Sequence, residues 1–191
     1  MRTFIAIEIP EEIKAEMARV QEQLKCSSDV DAGWTRPEGI HLTLKFLGEV
    51  PEAKVSEMMN ALAGVAVGVD MFRLDIAGVG TFPNPGNARV VWIGVEGETD
   101  RLLKLQAAVE DGMDSLGFER ENRKFTPHLT LARIKFIRSR KAWLSALDSV
   151  KDVRLPSIEV NAISLMKSEL KPSGAVYTEI GKIELKKKQV T

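Results

Sequence analysis

The chain contains two histidines, and both open the same tetrapeptide: His-Leu-Thr-Leu at 41–44 and again at 128–131. At average composition a given His is followed by Leu-Thr-Leu by chance on the order of a few times in ten thousand. Two independent occurrences amount to roughly one in ten million, so duplication or shared chemistry must account for them. With an unperturbed pKa of about 6.5, one imidazole can stand neutral while its partner is protonated near neutral pH. The neutral ring takes a proton from a water, and the protonated ring gives one to a leaving oxygen. Two threonine hydroxyls beside them can hold the nonbridging oxygens of the centre in between. A phosphodiester uses this whole set.

For that chemistry the four side chains must share a face. The run HLTLKFL, polar before it and closed by Gly48, has the composition of a strand. Alternate residues of a strand share a face. His41 and Thr43 therefore point one way and Leu42 and Leu44 the other, into a core; His128 and Thr130 stand likewise against Leu129 and Leu131. Basic residues surround both motifs: Arg36 and Lys45 the first, Arg120, Arg123, Lys124, Arg133 and Lys135 the second. Strict alternation places Lys45 on the histidine face and Arg133 on the opposite one. Arg133 then reaches the site only if its strand ends or bulges first.

Each residue also has an ordinary reading. A single His-x-Thr is usually a half-buried strand pair; the second copy, in a chain with no other His, reverses that. Phe4 and Trp34 read as packing residues, and Tyr177 as a cleft or a strand-face residue. Arg36, Lys45 and Arg123 read as solvated surface charges, and the Lys186–Lys188 run as a solvated tail. A metal site fits poorly, since neither His has a second ligand at helical spacing and Thr is a weak ligand.

The surrounding elements occur in the same order twice. FIAIE at 4–8 is similar to WIGVE at 92–96, and each leads through a polar break into an amphipathic segment. Ile13, Met17, Val20 and Leu24 carry the apolar stripe of one; Leu102, Leu103, Leu105, Val109 and Met113 carry that of the other. After each motif come a second helix (53–65 and 139–150) and a strand-like segment (71–82 and 157–168); 174–185 adds strand character outside the repeat. The spacing predicts a single domain, 1–191, of two lobes sharing a core, with repeats at roughly 2–82 and 89–168. Related by a pseudo-twofold axis, the two motif faces can oppose across a cleft.

Composition bounds the rest. At 191 residues with 27 Lys+Arg against 27 Asp+Glu, the chain has no global basic field for non-specific nucleic-acid binding. One cysteine, Cys26, makes no internal disulfide and fits a reducing, cytoplasmic compartment. The first apolar run is cut at Glu8, too short for a signal peptide, and no stretch approaches the roughly 18–20 apolar residues of a membrane span. No heptad pattern argues for assembly, so a monomer is expected.

The paired His-x-Thr motifs resemble the two-histidine phosphoesterase superfamily. More closely, WTRPEGIHLTLKFLGEV at 34–50 and FTPHLTLAR at 125–133 resemble the RNA 2′,3′-cyclic phosphodiesterase family, historically called 2′-5′ RNA ligase. FIAIEIP, TFPNPGNARVVWIGVE and LMKSELKPSGAVYTEI extend the resemblance over nearly the whole chain. It implies an α+β fold that is bilobal, with two pseudo-symmetric antiparallel sheets and outer helices flanking a central cleft. It implies hydrolysis of RNA 2′,3′-cyclic phosphate ends to 2′-phosphomonoesters without metal or cofactor. His41 and Thr43, and His128 and Thr130, match the motif pairs. Arg133 falls where the family often has a phosphate-contacting arginine, and Phe4 matches an aromatic that approaches the nucleotide. We assign His41 as proton donor and His128 as proton acceptor, although sequence does not separate this from the swapped roles. Ligation to a 2′-5′ bond, the reverse reaction, and a non-catalytic RNA-end binding module are the alternatives.

Overall fold

The computed structural model describes residues 1–172 and 174–187. Lys188, the last of the lysine run, lies outside them. Lys186, read as the start of a solvated tail, has its backbone pinned, its N–H donating to the Val69 carbonyl at 3.1 Å.

Nine strands and four helices follow one another along the described residues: β1 (Arg2–Glu8), α1 (Glu11–Ser27), β2 (Val30–Trp34), β3 (His41–Glu49), α2 (Val55–Val67), β4 (Phe72–Phe82), β5 (Val90–Gly97), α3 (Thr99–Asp114), β6 (His128–Ile137), α4 (Arg140–Val150), β7 (Arg154–Val160), β8 (Ala162–Lys171) and β9 (Gly174–Glu184). The strands form two antiparallel sheets, ordered β3-β1-β8-β9 and β2-β6-β5-β4-β7. Apart from β2, which adds an edge beside β6, the two orders correspond strand for strand. Both motif strands carry a histidine as their first residue, and β3 lies against β6 where the sheets meet.

The helices follow their apolar stripes. In α1, Ile13, Met17, Val20 and Leu24 are buried, with Glu11 and Glu12 at the N-terminus, where carboxylates suit the helix dipole. In α3, Leu102, Leu105, Val109 and Met113 are buried, whereas Leu103, expected in that stripe, is exposed because it lies one residue off it. The Ser139 hydroxyl caps α4 by accepting from the Ala142 N–H. Together with Leu42, Leu44, Leu129 and Leu131, these side chains make one continuous core between the helices and the sheets. A second, small cluster of Phe4, Ala6 and Met166 with Tyr177 lies apart from it.

The segment 157–168, expected as one strand, is two. It breaks at Asn161, and β7 ends the five-stranded sheet while β8 enters the four-stranded one. Its alternation through Ile158 and Val160 gives way at Ala162 to a continuously buried, largely apolar run, the pattern of a strand covered on both faces.

Candidate functional site

All four motif side chains line one cavity of about 950 Å³. His41 Nδ1 lies 2.8 Å from the Gly39 carbonyl oxygen, and His128 Nδ1 lies 2.7 Å from that of Thr126. A carbonyl only accepts, so each Nδ1 carries a proton. Each Nε2 is left as the working atom, holding a lone pair in the neutral ring and a second proton in the charged one. The Thr43 and Thr130 hydroxyls are not engaged by any protein hydrogen bond among the described residues, and both are open to a ligand's oxygens.

The two imidazoles sit in different surroundings. His41 packs in a three-ring cluster: stacked on Phe4 at 4.5 Å and 28°, and edge-on to Tyr177 at 4.9 Å, with Phe4 and Tyr177 themselves 5.3 Å apart. Gly39 makes room for that second ring, because a Cβ there would stand 3.0 Å from Tyr177. Burial lowers the His41 pKa from 6.5 to about 4, helped by the Lys14 charge and opposed by the Gly39 carbonyl. His128 meets the Phe82 ring edge at 5.0 Å and lies 6.3 Å from Trp92. Phe4 is only 1% exposed, so its principal contact is the His41 ring itself. Tyr177 is a cleft residue, and Trp34 packs against the core as expected.

Alternation fails at the same place in both motif strands. In β6, Ala132 pairs with Val91 and Thr130 with Trp92, so Leu131 is an extra residue. In β3, Lys45 pairs with Ile5 and Thr43 with Ala6, leaving Leu44 extra. Such a bulge turns every later side chain to the other face. Arg133 consequently lines the cavity beside Thr130, meeting the condition that the sequence set for it. Lys45, expected on the histidine face as a solvated charge, is instead 4% exposed and paired with Glu110 on α3 at 2.5 Å. Phe46 takes the place on β3 that Arg133 has on β6.

The basic collar is also smaller than expected. Arg120 is paired with Asp111 and Asp114, and Arg123 with Glu121 at 2.7 Å. Among the described cavity residues, Arg2, Lys124 and Arg133 are the cations with no carboxylate within pairing distance. No group of three or more His, Cys, Asp or Glu among the described residues is placed to hold a metal ion.

Residues 7–92 match the family of LigT-like phosphoesterases, and residues 93–177 match it a second time. The chain belongs to the LigT-like phosphoesterase family. It is 36% identical over 180 residues to the RNA 2′,3′-cyclic phosphodiesterase of Methanothermobacter thermautotrophicus, covering 94% of this chain and 96% of that protein. The protein of the same name from Methanocaldococcus jannaschii is 37% identical over 180 residues, covering 94% and 98%. Among solved structures, TT0787 of Thermus thermophilus superposes with a TM-score of 0.82 at 31% identity, over 99% of this chain and 100% of that one. Escherichia coli LigT complexed with 3′-AMP gives 0.76 at 26% identity, over 96% and 97%.

In this LigT-like phosphoesterase, residues that sequence reasoning missed hold both bulges. The Gln21 amide on α1 donates to the Leu131 carbonyl at 2.8 Å and to that of Thr35 at 2.7 Å. The Gln106 amide on α3 donates to the Leu44 carbonyl at 3.4 Å. Each helix thus supports the extra leucine of the motif strand belonging to the other half. The buried Lys45 also donates to the Glu119 carbonyl at 2.7 Å, while Glu110 accepts from the Glu121 N–H at 3.3 Å and from Gln106 at 3.2 Å. These bonds fasten the loop at 115–127, which supplies the Thr126 carbonyl to His128. A glutamine directly after a residue of the apolar stripe in each helix (Gln21 after Val20, Gln106 after Leu105) was the available signal.

Proposed function

We propose that the protein hydrolyses RNA 2′,3′-cyclic phosphate ends to 2′-phosphomonoesters, with its two histidines as acid and base. The observation that carries this reading is the matched fastening of both imidazoles by Nδ1, which leaves two Nε2 atoms on one cavity beside two free threonine hydroxyls. His128 Nε2 accepts a proton from water as the water oxygen bonds to phosphorus. His41 Nε2 donates its proton to O3′ as the P–O3′ bond breaks, leaving a 2′-phosphate and a 3′-hydroxyl. Thr43, Thr130 and Arg133 hold the nonbridging oxygens, and Phe4 acts by supporting His41.

The donor role requires His41 to be charged when substrate is bound, although burial lowers its pKa to about 4. A phosphate anion about 4 Å away supplies roughly 4 kcal/mol at an effective dielectric of 20, or about 3 pKa units. That brings the His41 pKa back toward neutral pH and couples its charging to binding.

The reading is of one two-lobed domain spanning 1–191, with the repeat at roughly 2–82 and 89–168, working as a cytoplasmic monomer on RNA ends. Among the described residues no helix is long and apolar enough to cross a membrane. The test is incubation of chelator-treated protein with a cyclic-ended oligoribonucleotide, followed by phosphorus NMR. A 2′-monoester resonance is expected. An unchanged cyclic phosphate ends the reading; a 2′-5′ linked product with a supplied 5′-hydroxyl strand indicates ligation instead.

A further inference from the structure

On the reading just given, we propose that the cleft also holds the nucleotide immediately 5′ of the cyclic phosphate, its base on Phe46 and its linking phosphate at Arg2. Phe46 is 66% exposed, and Leu170, which lines the same cavity, is 75% exposed. Large apolar side chains presented together at the mouth of a polar cavity mark a binding surface. The bulge at Leu44 turns Phe46 there, opposite Phe4 in the strand register.

Phe4 is the ring that both His41 and Phe46 approach. Phe4 stacks on His41 at 4.5 Å and stands 6.0 Å from Phe46, which puts the Phe46 ring within about 11 Å of the imidazole. Phe4 is covered, so of these two phenylalanines Phe46 is the one that offers a free face. Bases of single-stranded RNA are held by stacking on such faces with a cation tracking the backbone.

Arg2 distinguishes the upstream nucleotide from the terminal base. It is exposed and lines the cavity, and its side chain makes no hydrogen bond or ion pair among the described residues. Its strand partner Glu49 is bound instead to the Met1 ammonium at 3.3 Å. A nucleoside 2′,3′-cyclic phosphate has one phosphate, which the threonines and Arg133 already serve. A guanidinium at the far end of β1 can bind a second phosphate, and the phosphodiester to the preceding residue supplies one. The cavity's 950 Å³ lies at the upper end of the roughly 300–1,000 Å³ typical of small-ligand sites, leaving room beyond one nucleotide.

The experiment compares kcat/KM for a nucleoside 2′,3′-cyclic phosphate, the dinucleotide with the same cyclic end, and that dinucleotide lacking its 5′ base. The dinucleotide should be favoured by about 5- to 100-fold. Phe46→Ala should remove the part due to the base and Phe46→Trp should keep it. Arg2→Ala should remove the part that the base-free dinucleotide retains, and none of these should alter the mononucleotide rate. Equal rates for the two natural substrates, or a Phe46→Ala loss shared by the mononucleotide, overturns the proposal. A protein that turns over neither substrate refutes the catalytic reading alone. The subsite is then read from quenching of 2-aminopurine at the 5′ position of a dinucleotide, which should be lost in Phe46→Ala; quenching unchanged in that variant overturns it.

Discussion

Gln21 on α1 and Leu131 on β6 lie 110 positions apart in the chain and are joined by a 2.8 Å hydrogen bond from side-chain amide to bulge carbonyl. Leu131 is the residue whose insertion turns Arg133 into the cleft, so this bond connects a buried helix position to the arginine proposed to hold the phosphate.

Replacing Gln21 with Met, which keeps the shape and removes the donor, should destabilise the protein by about 1–2 kcal/mol. Arg133→Ala should lower kcat/KM roughly 10- to 100-fold, as for a lost charge-assisted bond. Gln21→Met should reproduce part of that loss, and the double variant should be no worse than Arg133→Ala. Full additivity would show that Gln21 does not act through Arg133.

The Lys45–Glu110 pair is buried on both sides. Breaking it from one side, as Lys45→Met or Glu110→Gln, should cost about 3–5 kcal/mol in urea unfolding. Replacing both partners with apolar residues of similar size should recover much of that. Because Glu110 and Lys45 also fasten the loop that bears Thr126, the double variant should still show reduced kcat.

His41 gives two pH effects of definite sign. Its folded-state pKa, about 4, lies below its unfolded value of 6.5, so its contribution to stability is present above pH 6.5 and declines as pH falls toward 4. The amount is on the order of 3 kcal/mol, and His41→Gln should flatten the unfolding curve over that window. Binding of an anionic product analogue at pH 6 should take up nearly one proton, read by calorimetry in two buffers of different ionisation enthalpy. Binding without uptake would leave His41 neutral in the complex and reverse the acid and base assignments.

His41→Ala and His128→Ala should each lower kcat by about 10²- to 10⁴-fold, with KM changed little, as for the loss of one proton-transfer group. A loss confined to KM would make the histidines binding groups only.

With Arg2, Lys124 and Arg133 as the unpaired cavity cations among the described residues, oligonucleotide affinity should depend weakly on salt. Single strands give a slope of about −0.7 per phosphate neutralised, so a plot of log K against log salt should fall no more steeply than about −2. A steeper line would require a larger basic surface than the cleft provides.

The motif histidines and threonines were legible because strand alternation is a local rule and both copies obey it through Leu44 and Leu131. Helix faces were legible for the same reason, apart from Leu103. What the sequence concealed was set by distant partners. Lys45 is buried because Glu110, on another element, meets it. The bulges depend on amides 62 and 110 positions away. The division at Asn161 reflects which sheet each strand joins, although the change of apolar pattern there announces it.

The interleaving of the sheets bears on when the molecule becomes competent. β4 pairs with β5, which follows it, and β1 completes its pairing only when β8 arrives near the other end. A chain emerging from the ribosome therefore carries His41 on a two-stranded ribbon with a bare edge until residues beyond 162 are made. The five-stranded sheet can be complete at Val160, but the sheet that carries His41 cannot close before β8 and β9 are made. Truncated products should be inactive and adhesive at β1, and catalytic competence itself reports that synthesis has passed β8.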